Sequence, residues 1–215
     1  MSARDRILSA VRAGLGPTRP APGAIAAEAA ALLEGPDEIR PRLAAPTLKE
    51  AFATRATALG TTIDRITDLA ELPAAVGRYL AAQGLAAEIS LQPAPEFARL
   101  DWQDLRTHAT IASDETAAVG LARWGVAESG SLAIHSGPDT PILLAFLPLH
   151  HILVLPTRHL LAHLEDYAAA AAEIDAPRNA VLITGPSGTT DIEGSYVRGA
   201  HGPGFLHVIL VQDAE

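Results

Sequence analysis

The segment TTIDRITDLAELPAAVGRYLAAQGLAAEISLQ, residues 61–92, decides the fold class of this chain. Its first six residues predict a strand, residues 68–84 predict a helix closed by Gly84, and residues 86–92 predict a second strand. Strands that alternate with helices are typical of βαβ units, whose strands lie parallel in one sheet. The segment therefore predicts an α/β fold with a mainly parallel sheet.

The same alternation continues along the second half of the chain. HHILVLP (150–156) predicts a buried strand, residues 157–172 predict a helix, and NAVLIT (179–184) and LHVILVQ (206–212) predict two further strands. Residues 117–136 contain short strand-like pieces separated by glycines, which predicts closely spaced strands with a tight turn.

The N-terminal part has a different pattern. Ile7, Val11 and Leu15 recur at helical spacing, and prolines interrupt the stretch that follows. We therefore expect a helical, partly mobile arm over residues 1–45 and one α/β domain over residues 46–215.

Composition excludes several classes of function. The chain has 215 residues, a net charge of −9 and no cysteine. An acidic protein lacks the basic surface that nucleic-acid binding needs. Without cysteine there is no thiol catalysis, no disulfide and no cysteine-held zinc or iron–sulfur cluster. The longest apolar run, residues 141–156, is shorter than the roughly 20 residues of a membrane span, so we expect no span. The absence of cysteine is compatible with a reducing cytoplasm.

The segment ITGPSGTTDIEG, residues 183–194, is the first candidate site. It follows a predicted strand, and we expect a helix after it whose free backbone N–H groups favour an anion. The candidate ligand-binding residues are small or carry a hydroxyl or carboxyl group: Gly185, Ser187, Thr189, Thr190 and Asp191. Glu193 is a candidate acid–base residue. The alternative is an ordinary turn in which Asp191 or Glu193 caps the helix.

The segment GVAESGSL, residues 125–132, is the second candidate. A carboxylate on a tight glycine turn can approach a substrate closely, so Glu128 is a candidate base or nucleophile. Its neighbours Ser129, Gly130 and Ser131 are candidate ligand-binding residues. The alternative is a β-turn with a surface glutamate.

Histidines supply the remaining candidates. His201 lies among glycines in the loop before the last strand, and we consider it an acid–base residue or a structural hydrogen-bond donor. His159 and His163 are four residues apart on a predicted helix, the spacing of a shared metal ligand pair, but no zinc-protease pattern accompanies them and we favour a solvated helix face. We predict no metal site and no cofactor.

Four ordered motifs give these candidates a common context. AESGSL (127–132), LPLHHILVLP (147–156), ITGPSGTTDIEG (183–194) and GAHGPGFLHVILV (199–211) resemble the LUD (lactate utilization) domain family, in particular its lactate-utilization protein C group. The resemblance implies a three-layer fold like that of the sugar-phosphate isomerase and CoA-transferase superfamily. It also implies a bacterial, cytoplasmic protein that acts with iron–sulfur partner proteins in the oxidation of L-lactate to pyruvate.

The resemblance implies an accessory protein that binds a small organic acid or phosphate where the loops 125–131, 184–193 and 199–204 meet. Two alternatives remain open: an independent transferase, isomerase or cyclo-ligase acting on a phosphorylated or carboxylated small molecule, and a non-catalytic assembly scaffold. The family pattern has an arginine where this chain has Gly188, and often a basic residue where it has Gly204. If those side chains bind an anion, this chain lacks their charge-assisted contacts unless Arg198 replaces them.

Overall fold

The computed structural model of the protein describes residues 2–15, 21–32, 40–190 and 194–212. These residues fall into two compact units, Met1–Arg40 and Pro41–Glu215. The predicted domain limit at residues 45 and 46 remains a prediction. Within the described residues, no helix is long and apolar enough to cross a membrane.

The described residues of the first unit contain two helices, α1 (Ala3–Gly14) and α2 (Pro22–Leu32). Ser2 begins α1: its hydroxyl accepts a hydrogen bond from the Asp5 N–H, and the Asp5 carboxylate accepts one from the Ser2 N–H. This reciprocal pair satisfies two of the backbone donors that a helix start leaves free. The apolar side chains of Ile7 and Val11 are exposed.

The second unit contains three helices and twelve strands among its described residues. The helices are α3 (Leu48–Ala58), α4 (Leu72–Ala82) and α5 (Leu164–Ala172). The strands are β1 (Thr62–Ile66), β2 (Glu88–Leu91), β3 (Arg106–His108), β4 (Ala117–Leu121), β5 (Trp124–Val126), β6 (Ser131–His135), β7 (His150–Pro156), β8 (Leu160–Leu161), β9 (Ala180–Ile183), β10 (Gly188–Thr190), β11 (Tyr196–Arg198) and β12 (Phe205–Val211).

Six of the strands form the main sheet, in the order β1-β12-β7-β4-β2-β3, and every neighbouring pair is parallel. The central strand β7 is buried along its whole length. A strand covered on both faces reads as a continuous apolar run, which is why HHILVLP could be recognised in the sequence. The predicted α/β class with a mainly parallel sheet is confirmed.

Two apolar cores cover the two faces of this sheet. On one face α4 packs through Leu72, Val76 and Leu80. On the other face lie Phe52 of α3 and Leu132 of β6, an element of a second sheet. The main sheet is therefore the middle of three layers, as expected.

The second sheet has four strands in the order β8-β5-β6-β9 and is mixed. Strand β6 is antiparallel to both β5 and β9, whereas β8 is parallel to β5. The chain passes directly from one sheet to the other after β4: the Ala122 N–H donates to Val154 of the main sheet, and the Arg123 N–H donates to Ala133 of the second sheet. Residues next to this crossover therefore lie at an edge shared by the two sheets.

Two sequence predictions are wrong in detail. The predicted helix over residues 157–172 begins only at Leu164, because Leu160 and Leu161 pair with β5 as strand β8. The strand predicted at NAVLIT is present as β9, antiparallel to β6 in the second sheet, but the hairpin of β10 and β11 follows it where a helix was expected. Residues 184–190 and 194–204 contain no helix, so the helix N-terminus expected to attract an anion there does not exist in the described part of the chain.

Candidate functional site

Glu128 and His163 form a close carboxylate–imidazole pair. The Glu128 Oε2 atom lies 2.6 Å from Nδ1 of His163. The other carboxylate oxygen, Oε1, accepts a hydrogen bond of 2.9 Å from the Leu164 N–H, the first residue of α5. The side chain of Glu128 is 7% exposed and that of His163 is 15% exposed. The pair is thus largely desolvated, while the imidazole retains some access to solvent.

The local backbone explains how this pair is positioned. Glu128 follows β5, and its N–H donates to the Ala162 carbonyl, so the pairing of β5 with β8 brings residue 128 next to residue 163. The His163 N–H donates to the Asp166 carboxylate, which fixes the start of α5. Both partners are therefore fixed by main-chain hydrogen bonds, the preorganisation that an acid–base pair requires.

Gly130 keeps the turn after Glu128 against helix α3. Its φ is +71°, and a Cβ atom at this position would lie 2.6 Å from the Ala56 backbone nitrogen. Only glycine accepts both the positive φ and this close backbone approach. Gly130, predicted as a ligand-binding residue, packs against protein backbone in the structure.

A chain of hydroxyl groups begins beside this turn. The Ser129 and Ser131 hydroxyl oxygens are 2.8 Å apart, and the Ser131 hydroxyl lies 2.7 Å from that of Thr184. The chain joins the 125–131 loop to the end of β9. Linked hydroxyls polarise one another and can relay a proton or orient a polar ligand.

The loop 199–204 contacts the described part of the loop 184–193 through backbone hydrogen bonds. The Ser187 N–H donates to the Pro203 carbonyl at 2.8 Å, and the Gly199 N–H donates to the Ser187 carbonyl at 3.0 Å. A cavity of about 190 Å³ lies here, with Gly185, Ser187 and His201 in its wall. The described parts of the three loops are thus in contact, but Glu128 bonds toward α5 while His201 lines this separate, mainly apolar cavity.

The other candidates of the 183–194 segment have different environments. Thr189 and Thr190 lie in β10, paired with Val197 and Tyr196. Asp191 and Glu193 lie outside the described residues. A Cβ atom on Gly188 would clash with the Tyr196 hydroxyl group, so the tyrosine side chain fills the space beside this glycine.

The structure separates the predicted histidine pair. His159 ends a short 3₁₀ turn (Thr157–His159), whereas His163 immediately precedes α5, so the two do not share a helix face. Among the described residues, no group of three histidine or acidic side chains is placed to hold a metal ion.

Sequence reasoning missed the role of His163, because its partner is 35 residues away. One local signal was available. The Asp166 carboxylate caps the His163 N–H, and an acidic residue three positions after a helix-capping residue marks a helix start. This pattern places His163 at the beginning of α5 rather than within a helix. A histidine held by a carboxylate can accept and return a proton at its second ring nitrogen.

Comparison with known proteins places this architecture in a family. The family model described as "LUD domain" matches residues 49–211. A crystal structure of a DUF162 family protein from Deinococcus radiodurans has the same fold, with a TM-score of 0.55, 21% sequence identity, and coverage of 76% of this chain and 96% of that chain.

Curated relatives carry a more specific name. A protein of Geobacillus thermodenitrificans named "Lactate utilization protein C" is 32% identical over 129 residues, which is 56% of this chain and 53% of the relative. One of the same name from Anoxybacillus flavithermus is 30% identical over 115 residues, 52% of each chain. The chain spans about half the length of the curated relatives it matches. Because the LUD domain family model matches about three quarters of the chain, this chain belongs to the LUD domain family.

Proposed function

We propose that this chain takes part in the oxidation of L-lactate to pyruvate in the bacterial cytoplasm, and that Glu128 and His163 are its acid–base pair. The observation that carries the proposal is the 2.6 Å contact between Glu128 Oε2 and His163 Nδ1, found in a LUD domain whose curated relatives are named for lactate utilization.

The pair fits a step of that reaction. Conversion of a hydroxyl to a carbonyl removes two protons and two electrons: one proton leaves from oxygen, and the second proton leaves from carbon together with the two electrons. In this proposal the carbon-bound hydrogen and the electrons both pass to the partner proteins. A carboxylate on Nδ1 keeps the proton of the neutral imidazole on that nitrogen, so Nε2 is the basic atom. In this proposal Nε2 of His163 accepts the hydroxyl proton, and Glu128 stabilises the imidazolium that results.

The electrons require other proteins in this proposal. The chain has no cysteine, so it has no thiolate to hold an iron–sulfur cluster. We therefore propose that iron–sulfur partner proteins accept the electrons and that this chain contributes substrate positioning and proton transfer. The hydroxyl chain of Ser129, Ser131 and Thr184 supports the same assignment, because it offers polar contacts beside Glu128.

Gene replacement in the source bacterium tests the proposal. Deletion is expected to abolish growth on L-lactate as sole carbon source and to leave growth on pyruvate unchanged. Normal growth of the deletion strain on L-lactate would contradict the lactate role.

Substitution of Glu128 tests the acid–base role separately. Glu128→Gln keeps an oxygen that can accept the Leu164 N–H but removes the charge beside His163. We expect growth on L-lactate to slow at least tenfold, in line with the 10²–10⁴-fold contribution typical of acid–base catalysis. Glu88→Gln, which removes an exposed carboxylate paired with Arg106, is the matched control and is expected to grow normally. Normal growth with Gln at 128, at equal protein level, would remove Glu128 from the chemistry.

A further inference from the structure

We propose a second site, distinct from the Glu128–His163 pair, that binds a small oxyanion at the carboxyl ends of strands β2 and β4. Strands β2 and β4 are parallel neighbours, with Leu91 beside Val119, so Gln92 and Arg123 emerge at the same edge of the main sheet. Ligands of open parallel sheets bind in the crevice at this edge.

A cavity of about 310 Å³ lies there. This volume is at the lower end of the range for small-molecule pockets, roughly 300–1,000 Å³. Its wall includes polar groups from five separate segments of chain: Gln92, Glu96, Arg123, His135, Thr140 and His159. Glu96 is the one carboxylate among the described residues that line it, whereas an arginine and two histidines face it in a chain of net charge −9.

The cation of this cavity is available to a ligand. Arg123 is exposed, and no ion pair joins it to a carboxylate among the residues that the structure describes. Its guanidinium carbon lies 4.8 Å from the centroid of the Trp124 ring, a cation–π contact that orients the group without neutralising its charge. A planar guanidinium of this kind binds carboxylate or phosphate oxygens through two parallel hydrogen bonds.

The neutral polar groups are already ordered. Gln92 is buried: its side-chain oxygen accepts from the Leu121 N–H and its amide donates to the Thr140 hydroxyl at 3.1 Å. The Nε2 atom of His135 lies 2.9 Å from the Tyr167 hydroxyl. The Nδ1 atom of His135 is buried and has no hydrogen-bond partner among the described residues.

An unpartnered buried ring nitrogen costs stability and calls for an explanation. Burial and the nearby positive charge of Arg123 both lower the pKa of His135, so the ring is neutral near pH 7. Where the Tyr167 hydroxyl donates to Nε2, the neutral ring carries its proton on Nδ1. The ring lines the cavity beside Arg123, so a small rotation of the ring on anion binding would give this buried N–H an acceptor. The geometry therefore points to a carboxylate or phosphate, with Arg123 as the charged contact and Thr140 and His135 as neutral ones.

Titration calorimetry on the full chain tests this site with sodium pyruvate, sodium L-lactate and sodium phosphate, against sodium chloride at equal ionic strength. We expect at least one of the three oxyanions to bind with a Kd of about 1 mM or lower, and chloride not to bind. The Kd values for pyruvate, L-lactate and phosphate, compared with one another, identify which oxyanion the site prefers. Failure of all three to bind would overturn the proposal.

Matched variants locate the binding. Arg123→Met keeps the apolar stem and removes the charge, and it is expected to weaken binding at least tenfold. Arg65→Met, on β1, is the control and is expected to stay within twofold of the unsubstituted protein. Equal affinity of the Arg123→Met protein, folded by circular dichroism, would overturn the assignment. Because the readout is binding in solution, its outcome is independent of the lactate-growth experiments on Glu128.

Discussion

Two groups of histidines in this molecule have opposite environments. His150 and His207 lie in the main sheet among rings: Tyr79 stacks on His207 at 4.2 Å, and Phe205 stacks on His150 at 4.3 Å. His163 instead faces a carboxylate at 2.6 Å and retains 15% side-chain exposure. The residue type is the same, but His150 and His207 are packed against aromatic rings, with Asp64 as a nearby charge at His207, whereas His163 bonds directly to a carboxylate and keeps a route to solvent.

This contrast distinguishes histidines that only pack in the fold from a histidine that can transfer a proton. Burial favours the neutral ring, and it lowers the pKa of His151 to about 3 and that of His207 to about 4, in the latter case despite the nearby charge of Asp64. Such rings do not titrate near neutral pH and cannot exchange protons there. His163 differs from these rings in its direct contact with a carboxylate, and it is the histidine that we propose as the proton acceptor.

The largest effect that we expect from this contrast is a change of the free energy of unfolding with pH. The folded-state pKa values of His151 and His207 lie below the value of 6.5 for an unperturbed histidine. Below pH 6.5 the unfolded chain therefore binds protons that the folded chain does not, and stability falls as pH decreases. The two rings together are expected to lower the free energy of unfolding by about 4 kcal/mol between pH 7 and pH 5.

Urea unfolding at pH 7, 6 and 5 measures this loss. The His207→Gln protein is expected to lose about half of the pH dependence, because one of the two rings is then absent. An unfolding free energy that is equal at pH 7 and pH 5 would show that these rings are not held neutral by burial.

A smaller effect concerns the tyrosine partners of two histidines. The Tyr79 hydroxyl lies 2.9 Å from Nδ1 of buried His150, and the Tyr167 hydroxyl lies 2.9 Å from Nε2 of His135. Tyr79→Phe leaves a buried ring nitrogen unpaired and is expected to cost about 1–2 kcal/mol of unfolding free energy. Tyr167 is more accessible, so Tyr167→Phe is expected to cost about 0.5 kcal/mol. Chemical denaturation of both variants at pH 7 measures the two losses of unfolding free energy. A larger loss for Tyr167→Phe than for Tyr79→Phe would contradict this prediction.

Much of the main sheet is predictable from local sequence. Residues 61–92 alternate strand, helix and strand patterns with a closing Gly84, and residues 150–156 are almost continuously apolar; these segments become β1, α4, β2 and β7. The second sheet was less accessible, because β8 has two residues and its identity depends on pairing with Gly125 and Val126, far away in the chain. A short strand of this kind is defined by its partner, and a pattern within one segment does not reveal it.

The candidate site was also predictable only in part from the sequence. A carboxylate beside a glycine turn drew attention to Glu128, a feature that is local in sequence. Its partner His163 and the crevice residues Arg123 and His135 became visible only when strand pairing brought distant segments together. The anion loop at 183–194 was predicted from a strand followed by a helix, and the hairpin of β10 and β11 takes the place of that helix.

The most direct test of the account is the growth rate on L-lactate of strains that carry His163→Gln or His207→Gln at matched protein levels. The His163→Gln strain is expected not to grow on L-lactate and to continue to grow on pyruvate. His207→Gln is expected to lower the unfolding temperature and to support lactate growth wherever the protein remains folded. Wild-type growth on L-lactate with His163→Gln would contradict the central claim that the Glu128–His163 pair performs the proton transfer.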